Sequence, residues 1–274
     1  MNFKPNLPIG IFDSGIGGLS ILRAIRGFMP GEPVVYFGDQ IHIPYGPRPM
    51  EQIGRFSEAI TNFLIQQQAK IIVVACNTAS AAALKDLRVK FPEIQFVGME
   101  PAVKPAAERT QTGRVGVLAT PATFQGALYT SVVERFGNGV DLFQHTCPGL
   151  VQQIEQGNLD GKETRQILED ALLPMLEKNI DTVVLGCTHY PFVIPLIEQI
   201  VGEKVRVIDP APAVAKQTKR LLEAGGLVNP ASAGGSVELF TSGNVKTLQS
   251  LLPVLLGAEA VVHHAEWVDE ERIR

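Results

Sequence analysis

Cysteine is scarce in this 274-residue chain: Cys76, Cys147 and Cys187 are the only ones. An odd number this small cannot build a disulfide framework for a chain of this size, so reduced thiols are expected. Positive charge is not in excess either. Lys and Arg total 24 against 28 Asp and Glu, a formal net charge of −4, which provides no summed field to draw in nucleic acid or anionic lipid. No apolar run is long enough to span a bilayer, and residues 1–10 carry one lysine and two prolines in place of the continuous apolar stretch of a signal peptide. The expectation is a cytoplasmic protein whose partner is a small molecule, with no nucleic acid and no membrane involved.

What is present is an ordinary globular composition, 45% hydrophobic and 19% charged, enough for one large or two smaller cores. Short β-branched apolar runs alternate with longer amphipathic stretches, the pattern of βα units building a parallel sheet. Strands are predicted near residue 10 and over 34–37, 71–75, 96–98, 115–119, 140–143, 183–186, 205–208 and 238–241, each followed by a helix. The helix after the third strand is predicted over 78–90, with Thr78 as its cap and Pro92 as its stop.

Low-complexity linkers are also lacking, but Met99-Glu100-Pro101 and Asp209-Pro210-Ala211-Pro212 read as proline-stiffened crossover points. They divide the chain into a first α/β lobe at 1–98, a second at 99–209, and a return to the first lobe with a C-terminal tail at 210–274. The expected fold class is α/β: two pseudo-symmetric lobes, each a mostly parallel sheet flanked by helices, with the active site in the interlobe cleft. A faint internal repeat agrees, Ile72-Val73-Val74-Ala75-Cys76-Asn77-Thr78 against Thr182-Val183-Val184-Leu185-Gly186-Cys187-Thr188. Ligands bind beyond the carboxyl ends of parallel strands, so this repeat sends both thiols toward a shared ligand site.

A free cysteine at a strand end is commonly just a core residue. Two in equivalent places suggest chemistry, because a helix start directly after a thiol favours its thiolate. Inverting a stereocentre requires proton removal from one face of a carbon and delivery to the other, which one thiolate and one thiol can do. Asp13-Ser14-Gly15-Ile16-Gly17-Gly18-Leu19-Ser20 places a carboxylate, a hydroxyl and glycine amides after the first strand. It reads either as a binding loop or as a glycine turn packing a helix close to the sheet; a dinucleotide fingerprint is incomplete at Ser20 and no lysine makes a P-loop. Pro44-Tyr45-Gly46-Pro47, after Asp39, is a stiff loop whose amides suit a carboxylate, or a surface turn. Asn77, Thr78, Thr188 and His189 offer neutral donors and acceptors for an amino acid, or cap helices. Cys187 and His189 lack the further ligands a zinc site needs, so no metal is expected; His263-His264 reads as an exposed or packing pair, and Cys147 as structural.

Together, Asp13-Ser14-Gly15, Pro44-Tyr45-Gly46, Ala75-Cys76-Asn77-Thr78 and Gly186-Cys187-Thr188-His189-Tyr190-Pro191 resemble the bacterial glutamate racemases in order and spacing over nearly the whole chain. The resemblance implies a cofactor-independent isomerase that interconverts L- and D-glutamate, the D form feeding peptidoglycan synthesis and so cell wall biogenesis and cell shape, with a homodimer as the candidate assembly. It implies Cys76 and Cys187 as the acid–base pair, Asp13 beside the first thiol, and Glu155 and His189 near the second. It further implies substrate binding by Asp13, Ser14, Tyr45, Gly46, Asn77, Thr78, Thr188 and His189, with Tyr45 and Gly46 by the side-chain carboxylate. Asp39 and Thr120 fall where the family has polar site residues, in looser local contexts. Some members carry an N-terminal extension and require a cell-wall nucleotide activator; with Asp13 this close to the start, that requirement is not expected here.

Three other readings remain. A racemase of the same superfamily acting on aspartate or a hydantoin differs in the loops around Tyr45 and His189. A non-catalytic carboxylate-binding protein would bind glutamate without exchanging its α-proton. A cysteine hydrolase would leave one thiol without a role. The residues after about Ala260 read as a polar tail with no assigned part.

Overall fold

The computed structural model describes residues 3–100, 102–137 and 139–274. Pro101, in the first expected crossover, lies outside them, as do the first two residues. Among the described residues the strands are β1 (Ile9–Asp13), β2 (Val34–Gly38), β3 (Ile71–Val74), β4 (Phe96–Gly98), β5 (Arg114–Ala119), β6 (Asp141–His145), β7 (Thr182–Gly186), β8 (Arg206–Ile208), β9 (Val237–Thr241), β10 (Val261–His264), β11 (Trp267–Asp269) and β12 (Arg272–Ile273). The chain forms two compact units, Met1–Met99 with Ala211–Arg274, and Glu100–Pro210.

The first unit holds a six-stranded sheet in the order β10-β9-β2-β1-β3-β4, and the second a four-stranded sheet in the order β6-β5-β7-β8. Every pairing in both sheets is parallel. The fold is therefore α/β with parallel sheets flanked by helices, as the alternation of apolar runs predicts. Central strands such as Ile71-Ile72-Val73-Val74 are buried residue by residue, because helices cover both faces of a parallel sheet. The covering helices bury one stripe each: in Met50–Gln66 it is Ile53, Phe56, Ile60 and Leu64, at helical spacing.

Both sheets turn at the same point. From β1 the chain goes to β2 on one side and then to β3 on the other; from β5 it goes to β6 on one side and then to β7 on the other. The gap between first and third strand is where neighbouring connections lead away to opposite faces, and ligands of open α/β sheets sit there, at the carboxyl ends. Asp13 and Cys76 leave the first sheet at that gap, and Thr120 and Cys187 leave the second.

Three expectations need correction. The tail after Ala260 is structured: β10 adds a parallel edge strand to the first sheet, and β11 and β12 form an antiparallel hairpin. Polar alternation hid it, since an edge strand and a surface hairpin bury little. The helix after β3 is Asn77–Lys90, and its cap is Cys76, whose sulfur accepts from Ala79 N at 3.4 Å, so Thr78 lies inside the first turn. The predicted strand at 140–143 is displaced to β6, Asp141–His145.

Gly18 ties this scaffold to the site. A Cβ there would lie 2.8 Å from Asp13 Cβ and 3.0 Å from the buried Tyr36 ring, neither a flexible chain end. Gly18→Ala is expected to lower stability by about 1–3 kcal/mol through overpacking, measured as a drop in the urea midpoint at unchanged slope.

Candidate active site

At the first sheet, Ala75 N donates to Phe12 O at 2.8 Å, which carries the β1–β3 ladder to the strand ends and brings Cys76 beside the residues that follow Phe12. Asp13 is fully buried and its carboxylate accepts from Gly15 N at 3.0 Å, so part of the glycine loop folds back on the strand. Tyr36 donates to Gly15 O at 2.6 Å and holds that turn from the neighbouring strand. The Cys76 thiol lies 3.9 Å from Ser14 Oγ. Asn77, only 4% exposed, has no partner for either its amide nitrogen or its amide oxygen among the described residues. A buried amide left in this state costs about 1–3 kcal/mol, a cost that a ligand's polar groups would recover.

The loop after β2 is adjacent. Ile43-Pro44 is a cis peptide. Tyr45 is buried, and its hydroxyl donates to Asp39 at 2.6 Å. Burial first, and then the Asp39 carboxylate, hold that hydroxyl well above the usual phenol range, so it keeps its proton; Cys76 and Asp13 also lie close enough to act on it. The hydroxyl donor is therefore committed, while the backbone N–H groups of Tyr45 and Gly46 have no partner among the described residues. Asp39 is not the surface turn that its context allows. It is fully buried and accepts from Tyr45, from Ser242 Oγ at 2.9 Å and from Trp267 Nε1 at 2.8 Å, with His42 Nδ1 at 2.9 Å.

At the second sheet the surroundings differ. A helix start directly after each thiol was the expectation; it holds for Cys76 and fails for Cys187. Tyr190 N donates to Cys187 O, a 3-10 turn Tyr190–Val193 follows, and the helix Ile194–Val201 begins only beyond it. Proline at Pro191 and Pro195 delays regular helical bonding there. In place of a helix terminus Cys187 has His189, with Sγ to Nδ1 at 3.8 Å, and His189 Nε2 lies 2.7 Å from Glu155 Oε1. Burial works against a charge on His189, but Cys187 and Glu155 together outweigh it and hold the imidazole's pKa well above its ordinary value. Thr188 is buried beside this chain of groups. Thr120 caps the helix Pro121–Gln125, accepting from Thr123 N at 3.3 Å, at the end of the strand paired with β7.

Cys147 is buried, with φ of 45°. Burial, then the nearness of Cys187, pushes its thiol up to about 12, so it keeps its proton. His263 stacks on Phe240 with ring centroids 5.0 Å apart, a packing role. Among the described residues no group of three or more His, Cys, Asp or Glu could hold a metal ion. Each unit thus assembles its own set: Asp13, Ser14, Cys76, Asn77, Thr78 and the Tyr45 loop in one, Glu155, Cys187, Thr188 and His189 in the other. Sequence reasoning missed Trp267, His42 and Ser242 around Asp39. The one available signal is that Trp267 is the single tryptophan of the chain, set in an otherwise polar segment.

Residues 19–218 match the Asp/Glu/Hydantoin racemase family. The chain belongs to that family. A glutamate racemase from Pseudomonas aeruginosa (strain UCBPP-PA14) is 47% identical over 250 residues, covering 91% of this chain and 94% of its own.

Among solved structures, glutamate racemase from Francisella tularensis in complex with D-glutamate is 31% identical, with a TM-score of 0.82 over 97% of this chain and 99% of that one. Escherichia coli glutamate racemase, in complex with L-glutamate and the activator UDP-MurNAc-ala, is 32% identical, with a TM-score of 0.82 over 94% and 97% of the two chains. Among the described residues no helix is long and apolar enough to cross a membrane.

The pairing of His189 with Glu155 gives a testable sign. A raised histidine pKa means the pairing is fully present below the imidazole's ordinary value and is lost as pH rises through the raised one. Glu155→Gln removes one of the two groups that raise it, so the His189 midpoint should move to lower pH, read from imidazole NMR shifts across a titration.

Proposed function

We propose that this chain interconverts L- and D-glutamate using side chains alone, with Cys76 and Cys187 as the acid–base pair. The observation that carries the reading is the equivalence of the two thiols: each follows the third strand of its own parallel sheet, at the gap beside the first strand. Relatives named glutamate racemase, over nine-tenths of the chain, support glutamate over aspartate or a hydantoin as substrate.

In one direction the thiolate of one cysteine takes the α-proton, forming an S–H bond as the C–H bond breaks. The electron pair stays on Cα, and the other thiol delivers its proton to the opposite face and becomes thiolate. Each turnover therefore exchanges the protonation states of the two sulfurs, and the reverse reaction starts from the exchanged state. The α-proton is far less acidic than a thiol, so the site has to stabilise charge spreading into the α-carboxylate. Asn77, with both amide groups unused, and the neighbouring Thr78 and Thr188 are the groups we assign to the α-carboxylate and ammonium. The free amides of Tyr45 and Gly46 are assigned to the side-chain carboxylate. Asp13 and Ser14 serve Cys76, and His189 with Glu155 serves Cys187, as proton-positioning groups. The D-glutamate formed would supply peptidoglycan synthesis in the cytoplasm.

Cys76→Ala and Cys187→Ala should each abolish racemisation, by at least about 10³-fold, with the circular dichroism spectrum unchanged; substantial turnover in either variant would sink the two-thiol scheme. In deuterium oxide, early samples should carry deuterium mainly in the enantiomer produced, and equal labelling of recovered substrate would indicate one shared base. Asn77→Ala should weaken glutamate binding at least about tenfold while leaving the thermal midpoint of the free protein unchanged or higher, since an unsatisfied buried amide is removed. A lower midpoint with undiminished binding would show that Asn77 serves the scaffold.

A further inference from the structure

We propose that the C-terminal hairpin is a positioning device for the substrate loop, with Trp267 acting through Asp39 to hold Tyr45 and Gly46 in the shape that receives the second carboxylate. The inference rests on the reading of glutamate as substrate and deepens it.

The Asp39 carboxylate faces two parts of the chain. Oδ1 accepts from Ser242 Oγ at 2.9 Å and Trp267 Nε1 at 2.8 Å, both from the C-terminal segment. Oδ2 accepts from Tyr45 at 2.6 Å, and His42 Nδ1 lies 2.9 Å from Oδ2 and 3.1 Å from Oδ1, both residues in the loop after β2. One buried carboxyl group therefore joins the hairpin to the loop. Its backbone is fixed independently, since Asp39 N donates to Asp13 O at 3.0 Å. Within the loop, Arg48 Nε donates to His42 O at 2.6 Å and Arg48 N to Tyr45 O at 3.0 Å, which leaves the amides of Tyr45 and Gly46 unused.

The hairpin is itself held in place. Ala265 N donates to Thr241 O at 2.9 Å, continuing the sheet edge, and Arg55 reaches Glu270 at 3.0 Å from the helix Met50–Gln66. Trp267 packs edge-on to Phe56 at 5.4 Å and to His42 at 4.9 Å, while His42 stacks on Phe56 at 4.0 Å. Packing alone would ask only for a ring at position 267. The indole N–H adds a directed bond to a fully buried oxygen, and buried acceptors deprived of a donor pull their surroundings out of place. Loss of that donor should loosen Tyr45 and Gly46 without touching either thiol.

The test is Trp267→Phe, which keeps a ring and removes the donor. Steady-state constants for both glutamate enantiomers, the inhibition constant of 2-aminobutyrate, which lacks the second carboxylate, and the thermal midpoint are measured for native and variant protein. The expected result is a rise of about tenfold in KM, the scale of one charge-assisted hydrogen bond, with kcat within about twofold and 2-aminobutyrate inhibition unchanged. An unchanged KM overturns the proposal, as does equal weakening of glutamate and 2-aminobutyrate, which would mark a general structural role. Should Trp267→Phe not fold, Ser242→Ala removes another donor to the same oxygen: a selective rise in KM for glutamate supports the proposal and an unchanged KM overturns it. Absence of glutamate turnover in the native protein would overturn the functional reading itself, and this inference with it.

Discussion

A strand buried on both faces of a parallel sheet carries few polar side chains along its length, and those it carries need a partner, so most of its chemistry begins at its end. Both sheets obey this constraint. Phe12 and Val74 are the last apolar pair of β1 and β3, and Asp13, Cys76, Asn77 and Thr78 follow within a few residues. Leu185 and Gly186 close β7, and Cys187, Thr188 and His189 follow at once. The gap between first and third strand concentrates these residues, and everything proposed for the site depends on that arrangement.

The two thiols meet one electrostatic problem in different ways. Cys76 caps a helix, so its sulfur faces a fixed backbone donor whose strength does not change with pH. Cys187 sits beside an imidazole that is itself held by a carboxylate, a partner that can gain or lose a proton. The difference follows from local sequence. Asn77-Thr78-Ala79 enters a helix directly, whereas His189-Tyr190-Pro191 inserts a 3-10 turn that turns the imidazole toward the sulfur.

Much of this was legible in the residues because burial on both faces writes itself as uninterrupted β-branched runs, and nine strands were found near their predicted places. The equivalent placement of Cys76 after β3 and Cys187 after β7 was legible for the same reason, as two similar runs each ending in a thiol. The final strands were not, because an edge strand and a two-stranded hairpin bury few side chains and leave a polar pattern that resembles a tail. Nor was the environment of Asp39: its donors Ser242 and Trp267 stand some two hundred positions away, and no local pattern encodes a contact at that separation.

Asp39 and Asn77 set scaffold apart from site. Both are buried polar side chains in the first unit, so both carried a desolvation cost on folding. Asp39 has recovered it in full, with donors on both oxygens, and has no capacity left for a ligand. Asn77 has recovered none, and nothing in the packing of a helix's first turn requires an amide there. A saturated group fixes geometry, and an idle one retains its bonds for something that arrives later. By that criterion Asp39 belongs to the frame that shapes the loop, and Asn77 to the groups we propose for the substrate.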